Sequence, residues 1–240
     1  MSAALTLAAV LAMAPNCAPT VDRGTLVAVI GTESRYHPFV VATNAGGRTT
    51  SSRRFGSADE AVAAVNALLA RGIDNIDMGL AQINYRAGHL RRLGLPIAAA
   101  FDPCSALSVA ADVLVDCWTR LGDDRPEAER LDAMLSCYNT GTPTRGLTNG
   151  YVGKVHTAYQ KQIVPALRRH DADGATAVPP PRPDAPISAR LHCDVPAWDV
   201  WARCPQPDAA EPPPPDPAPA APVRLRGITL EGSNDVSLHP

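Results

Sequence analysis

Proline decides how much of this chain can pack. Most of its 24 prolines follow Val178, in runs such as Pro179-Pro180-Pro181 and Pro212 to Pro215. Each proline fixes φ and removes a backbone donor, so such stretches run extended and build no core. A chain of 240 residues, 45% of them hydrophobic, is long enough for one good core plus extra segments. The globular part is therefore expected to end near residue 170. A formal net charge of −2 points away from nucleic acid, and from an anionic membrane, as the main partner.

Before that boundary the apolar residues recur with helical spacing. Ser57 with Glu60 three positions on is a capping box, followed by Ala61, Val62, Val65, Leu68 and Leu69 on one face and closed by Gly72. Leu90 and Leu93 mark a short helix ended by Gly94. Asp102-Pro103 opens a longer one carrying Leu107, Ala111, Leu114, Trp118 and Leu121. Pro126 starts another, through Leu131, Met134 and Leu135 into Tyr138, and a last helix over about 150–169 carries Val152, Val155, Tyr159 and Ile163. Residues 39–56, with Asn44, Gly46 and Gly47, read as a surface loop or short irregular strands. No run alternates convincingly with period 2, so the expected fold class is mainly α.

One carboxylate is out of place in this pattern. In a helix entered at Thr20 or Asp22, Leu26, Ile30 and Glu33 fall at i, i+4 and i+7, so Glu33 continues the apolar stripe. Burial, and the negative pole of the helix dipole at that end, both favour the protonated acid near neutral pH, which is the state a general acid needs. A lone helix-end Glu is more often turned to solvent or paired, here with Arg35. Three further polar-in-apolar clusters follow in order: Asp77-Met78-Gly79-Leu80-Ala81-Gln82-Ile83-Asn84, Ser136-Cys137-Tyr138-Asn139-Thr140-Gly141, and Asn149-Gly150-Tyr151-Val152-Gly153-Lys154-Val155.

Taken together, Glu-Ser, Gly-Leu-x-Gln-Ile-Asn, Tyr-Asn-x-Gly and Tyr-Val-x-Lys-Val resemble the soluble lytic transglycosylase (SLT) family, with its α+β, lysozyme-like but mainly α fold. The Asn16-Cys17-Ala18-Pro19 lead-in, Asn75-Ile76-Asp77 and Phe101-Asp102-Pro103-Cys104 look most like the VirB1-type enzymes of type IV secretion systems. The resemblance covers roughly residues 15 to 160. It implies cleavage of the β-1,4 bond between N-acetylmuramic acid and N-acetylglucosamine in peptidoglycan. Glu33 would be the acid and then the base, the substrate's N-acetyl group would assist, and a 1,6-anhydro end would result. Ser34 and Gln82 would contact substrate or orient Glu33, and Asn84 would hold the site loop. Tyr138 would donate the hydrogen bond that positions the carboxylate, and Asn139 and Tyr151 would line the saccharide cleft. No metal and no cofactor is expected. Asp74 and Asp77 are the other nearby acids, with a turn role favoured over catalysis. Ala106 stands where many relatives carry Asn, which questions the capping of that helix more than the chemistry.

The implied setting is the periplasm, with peptidoglycan glycan strands and type IV secretion or conjugation channel subunits as partners. A goose-type muramidase that uses water, and a glycan-binding scaffold recruiting secretion subunits, are the alternatives. Six cysteines without metal-site spacing then suggest disulfides in an oxidising compartment. Cys17 and Cys104, both flanking family motifs at a helix start, are the preferred first pair. Cys117 with Cys137, on successive helices, and Cys193 with Cys204, closing a tail loop, complete the scheme; buried free thiols are the alternative. Residues 1–20 read two ways. Ala3 to Ala14 has signal-peptide length but no basic region before it, and equally suits a first helix on the core. It is too short to span a bilayer. Residues 21–170 are the expected catalytic domain and 171–240 the proline-rich tail, whose Trp198 and Trp201 suit either a partner clip or a loop docked on the enzyme.

This division is tested by removing everything after about residue 172. Cleavage of purified sacculi is expected to stay within a few-fold of the full chain while recruitment to secretion machinery is lost. A large loss of initial rate would place the tail inside the enzyme, and a marked gain would make it a restraint on the cleft.

Overall fold

The structure, a computed structural model, describes residues 4–122 and 124–172; the Cys193 to Cys204 pairing and the tail tryptophans lie outside those residues. Leu7–Cys17 forms α1, whose N-terminus is capped by the Thr6 hydroxyl accepting the Ala9 amide at 3.1 Å. Val10, Leu11, Ala14 and Cys17 of α1 are buried, so the apolar run that also reads as signal-like is here a core helix. Asp22 then caps α2 (Arg23–Ser34), its carboxylate accepting the Thr25 amide at 2.8 Å. Every side from Gly24 to Ile30 is buried, which makes α2 the central helix around which the others pack.

The stretch read as a surface loop or short irregular strands is a hairpin whose register shifts between Thr43 and Asn44. β1 (Val40–Ala45) and β2 (Arg48–Arg54) pair antiparallel from Val40↔Arg54 to Ala45↔Arg48. Gly46 and Gly47, both at positive φ, make the two-residue turn whose twist suits a hairpin. Alternation is missing because Val40, Val41 and Ala42 are all buried in the middle of the sheet, whereas every residue of β2 is exposed on its edge. β3 (Ile76–Met78) and β4 (Ile83–Asn84) complete a four-stranded sheet of order β2-β1-β3-β4, and both are too short for a period to show. Between them Gly79 is obligatory: at φ +71 a Cβ there would lie 1.7 Å from the Ala100 carbonyl oxygen.

The helices fall close to the expected positions. α3 (Ala58–Ala70) is capped by Ser57, and Glu60 returns its carboxylate to the Gly56 amide at 2.8 Å. α4 (His89–Arg92) is short, burying Leu90 but leaving Leu93 39% exposed, so only one of the two leucines serves the core. A 3-10 turn (Ile97–Ala100) leads into α5 (Pro103–Arg120). Ala106 leaves no capping defect, because Asp102 accepts the Ser105 amide at 2.8 Å. α6 (Glu127–Thr140) and the single turn α7 (Arg145–Thr148) follow. α8 (Tyr151–Ala158) runs through a π turn (Tyr159–Ile163) into α9 (Val164–Ala172). The described residues are thus mainly α with a small sheet.

Two disulfides staple this core. Cys17–Cys104 joins the end of α1 to the start of α5, and Cys117–Cys137 joins α5 to α6, as preferred from the sequence. They close separations of 87 and 20 residues, so in the chain-entropy account each restricts the unfolded chain by about 3 to 5 kcal/mol. Urea unfolding with and without reductant should show a loss of that order. Coincident curves, or thiols at Cys17, Cys104, Cys117 or Cys137 that label in the native oxidised protein, would refute it.

Candidate active site

Glu33 is the penultimate residue of α2, and the helix ends there because Arg35 and Tyr36 both take left-handed backbone conformations, φ 52 and 64. Its carboxylate is partly buried and accepts the Tyr151 hydroxyl at 2.5 Å. Burial pushes the Glu33 carboxyl up to about 7; the Tyr151 hydrogen bond works against this shift and the charge of Asp77 adds to it. Burial and the Glu33 charge hold the hydroxyls of Tyr138 and Tyr151 well above their ordinary range, so both stay neutral donors.

The two tyrosines divide the work differently from the expectation. Tyr138, on α6, donates to the Ala81 carbonyl at 2.9 Å and so ties the β3–β4 turn to the helix. Tyr151, the first residue of α8, makes the contact to Glu33 that was expected of Tyr138. Its position is set by the connection after α6. The buried Ser136 hydroxyl donates to the Thr142 carbonyl at 2.8 Å and accepts the Gly146 amide at 2.7 Å, drawing α7 against α6. Asn149 then accepts the Tyr151 amide at 2.9 Å and donates to Asn139 at 3.0 Å.

A cluster of amides surrounds the second acid. Asp77 of β3 accepts Asn44 Nδ2 at 2.5 Å on one oxygen and Asn84 Nδ2 at 2.7 Å on the other. Asn84 also donates to Asn75 Oδ1 at 2.8 Å and accepts the Ala87 amide at 3.0 Å. Burial raises the Asp77 carboxyl, with the Asn84 and Asn44 hydrogen bonds working the other way. Asp74 is apart from this cluster, in an exposed ion pair with Arg86 at 2.5 Å. Burial thus raises both acids, Glu33 beside a single tyrosine hydroxyl and Asp77 among amides.

The remaining candidates are distributed unequally. Gln82 closes its own turn, with φ 49 and Nε2 donating to the Gly79 carbonyl at 2.9 Å. Ser34 is buried and its hydroxyl donates back to the Ile30 carbonyl at 3.3 Å, so it faces its own helix. Asn139 is exposed and reaches Tyr151 only through Asn149. Asn44, Asn75 and Asn149 escaped sequence reasoning as site-building residues. The Asn149-Gly150 pair before Tyr151 was their one local signal, a turn dipeptide. Among the described residues no group of three or more His, Cys, Asp or Glu could hold a metal ion, and no helix is long and apolar enough to cross a membrane.

With this geometry in view, the comparisons with known proteins agree on one family. Residues 11–160 match the family described as the transglycosylase SLT domain. The protein virB1 of Agrobacterium fabrum is 38% identical over 188 residues, 78% of this chain and 68% of that protein. The type IV secretion system protein virB1 of Brucella suis biovar 1 is 35% identical over 182 residues, 70% of this chain and 74% of that protein. The protein virB1 of Rhizobium radiobacter is 36% identical over 190 residues, 79% of this chain and 70% of that protein. No solved structure gives a significant match.

The raised Glu33 carboxyl has a consequence that needs no activity assay. Its folded value of about 7 exceeds the ordinary 4.5, so the folded state holds the proton more tightly than the unfolded chain. The stability it contributes is complete below the unfolded value and is lost as pH rises through about 7. Between about pH 5 and pH 8 the wild type should lose about 2 to 3 kcal/mol more than Glu33→Gln does. Urea titrations of both proteins across that range measure the difference, and parallel stability curves would show that the carboxyl is not raised.

Proposed function

This chain belongs to the lytic transglycosylases of the SLT family, and from that premise we propose that it cleaves the β-1,4 bond between N-acetylmuramic acid and N-acetylglucosamine in peptidoglycan, leaving a 1,6-anhydro end. The observation that carries this reading is Glu33, a partly buried carboxyl raised to about 7 and held by the Tyr151 hydroxyl. A group with that affinity is protonated often enough to give its proton to the leaving oxygen and weakly acidic enough to take one back.

In the first step Glu33 protonates the glycosidic oxygen as the bond to the muramic C1 breaks, and the substrate's own N-acetyl group covers the developing charge. In the second the muramic C6 oxygen bonds to C1 and its proton passes to the Glu33 carboxylate. The acid is regenerated and no water is consumed. Tyr151 orients the carboxylate, and Tyr138 and Gln82 hold the β3–β4 turn beside it. Asn84 acts through Asp77 and the loop it closes, and Asn139 supports Tyr151 through Asn149. Ser34 supports the end of α2 from inside. Asp77 lies near enough to Glu33 to raise it, and this supports the second reading, a muramidase in which an additional carboxylate assists water.

The relatives named for type IV secretion support the cellular role: local opening of the wall in the periplasm for a secretion or conjugation channel, with channel subunits as partners. Residues 21–170, with α1 packed on them and stapled by Cys17–Cys104, would be the catalytic unit and 171–240 the arm that presents it. Digestion of purified sacculi followed by mass spectrometry decides the chemistry. Anhydro-muramoyl ends are expected, with activity falling as pH rises above about 7, and Glu33→Gln should lower turnover at least about a hundredfold. Reducing ends without anhydro sugar would select the hydrolase, and substantial turnover by Glu33→Gln would remove Glu33 from the role.

A further inference from the structure

One edge of the sheet is used neither by the core nor by the reaction above. β2 pairs with β1 and ends the sheet, and all 7 of its residues are exposed. The Phe55 amide donates to the Phe39 carbonyl at 2.9 Å. By the alternation of an antiparallel ladder, Arg53 then also bonds inward to Val41, while Ser52 and Arg54 turn their N–H and C=O groups outward. An edge with unpaired backbone is a template for a further strand.

Between the hairpin and α3 lies a groove of about 400 Å³. Arg53 and Phe55 line it from the hairpin, and Ala64, Ala67, Leu68 and Arg71 line it from α3. Those α3 residues recur at i, i+3, i+4 and i+7, a second stripe beside the one that buries Ala61 and Val65 in the core. Val41 and Thr43 also face the groove. Ala42, between them, is the register partner of Asp77, so the groove is on the opposite face of the sheet from Asp77. The charge is of one sign. Arg53 and Arg71 face each other across the groove, Arg48 and Arg54 stand on the strand, and no acidic side chain lines the walls. Among the described residues none of these four has an ion pair or a side-chain hydrogen bond; Arg53 lies over the Phe55 ring, 5.4 Å from its centroid. A second copy pairing antiparallel about Ser51 would set Arg48 opposite Arg54, and like charges directly opposite destabilise such a pair.

We propose that β2 and this groove receive an extended acidic segment of another protein, which joins the four-stranded sheet as an added edge strand. Its backbone takes the outward groups of Ser52 and Arg54, and its alternate side chains enter the groove, apolar ones against Phe55 and Leu68 and carboxylates toward Arg53 and Arg71. Main-chain bonds give such a strand its affinity, and the side chains in the groove give it specificity. The arginines supply the charge match that selects an acidic partner and disfavours a second copy. Because the groove is across the sheet from Asp77, a partner bound there leaves the face that carries Asp77 open.

The full chain is titrated with the synthetic peptide Thr-Glu-Thr-Val-Thr-Glu-Thr, in which both Glu and the Val share one face of a strand, and with a counterpart carrying Lys for both Glu. Binding is followed by NMR, together with amide hydrogen exchange. The acidic peptide should bind below about 1 mM and slow exchange at Ser52 and Arg54, and the Lys peptide should bind at least about tenfold more weakly. Ser52→Pro removes one outward donor and none of the bonds to β1, a change that edge strands tolerate, and should weaken the acidic peptide on the order of tenfold. Arg53→Glu/Arg71→Glu should reverse the preference between the two peptides, an effect that loss of folding cannot produce. Several results overturn the proposal: unchanged exchange at Ser52 and Arg54, equal binding of the two peptides, a preference that the charge reversal leaves in place, or oligoglutamate binding as well as the Val-containing peptide. Protection of Ser52 and Arg54 before any peptide is added also overturns it, in favour of a second copy if it grows with protein concentration and of this chain's own residues if it does not. The two peptides on the wild type decide the matter even where a variant fails to fold, and none of these readouts depends on the reading of Glu33.

Discussion

The domain depends on the burial of α2. From Leu26 to Ile30 its side chains have no exposure at all, so apolar partners must be supplied on every side, and α1, α5, α8 and the π turn supply them. A helix enclosed in this way carries whatever sits on its last turn into a low-dielectric position. Glu33 occupies that place, and its raised carboxyl follows from the packing of its neighbours more than from any single contact. The chain then leaves α2 through two successive left-handed residues, Arg35 and Tyr36.

Around that acid the structure separates apolar from polar support. The α side provides the two tyrosine hydroxyls, one on Glu33 and one on the Ala81 carbonyl. The sheet side provides the amides of Asn44, Asn75 and Asn84 gathered at Asp77. Each buried polar group in this region has a partner, as low-dielectric surroundings require. A small sheet suits this task, because β1 and the consecutive strands β3 and β4 place side chains from two distant stretches side by side at fixed spacing. The Tyr36 hydroxyl is an exception outside the cluster: it is buried against Gly31 with no hydrogen-bond partner among the described residues, and it serves there as a wall.

The disulfides act at the opposite end of α5 from one another, one at its first turn and one at its last. They hold α1 and α6 to the longest helix of the domain. With α5 fixed, the connection after α6 has little freedom, and the Ser136 clasp on Thr142 and Gly146 completes the delivery of Tyr151 to Glu33. Stability and site geometry therefore share the same fasteners.

What the sequence by itself determined is whatever a few neighbouring residues encode. The caps at Asp22, Ser57 and Asp102, the helical stripes of α3, α5 and α6, and the placement of Glu33 on an apolar face all depend on spacing within one or two turns. The hairpin was legible only as Gly46-Gly47, because burial of one end of β1 and exposure of all of β2 erase the alternation that marks a strand. What only the tertiary structure decided are the pairings between distant stretches. Tyr151 reaches Glu33 across 118 residues and Tyr138 reaches Ala81 across 57, and both tyrosines stand on apolar helix faces with equal local claim to the acid. Which one arrives is set by how α6, α7 and α8 pack on α2, a sum of long-range contacts that no local spacing contains. The clamp of Asn44 and Asn84 on Asp77 was hidden for the same reason: three polar residues that each look like turn formers become one cluster only when the strands pair.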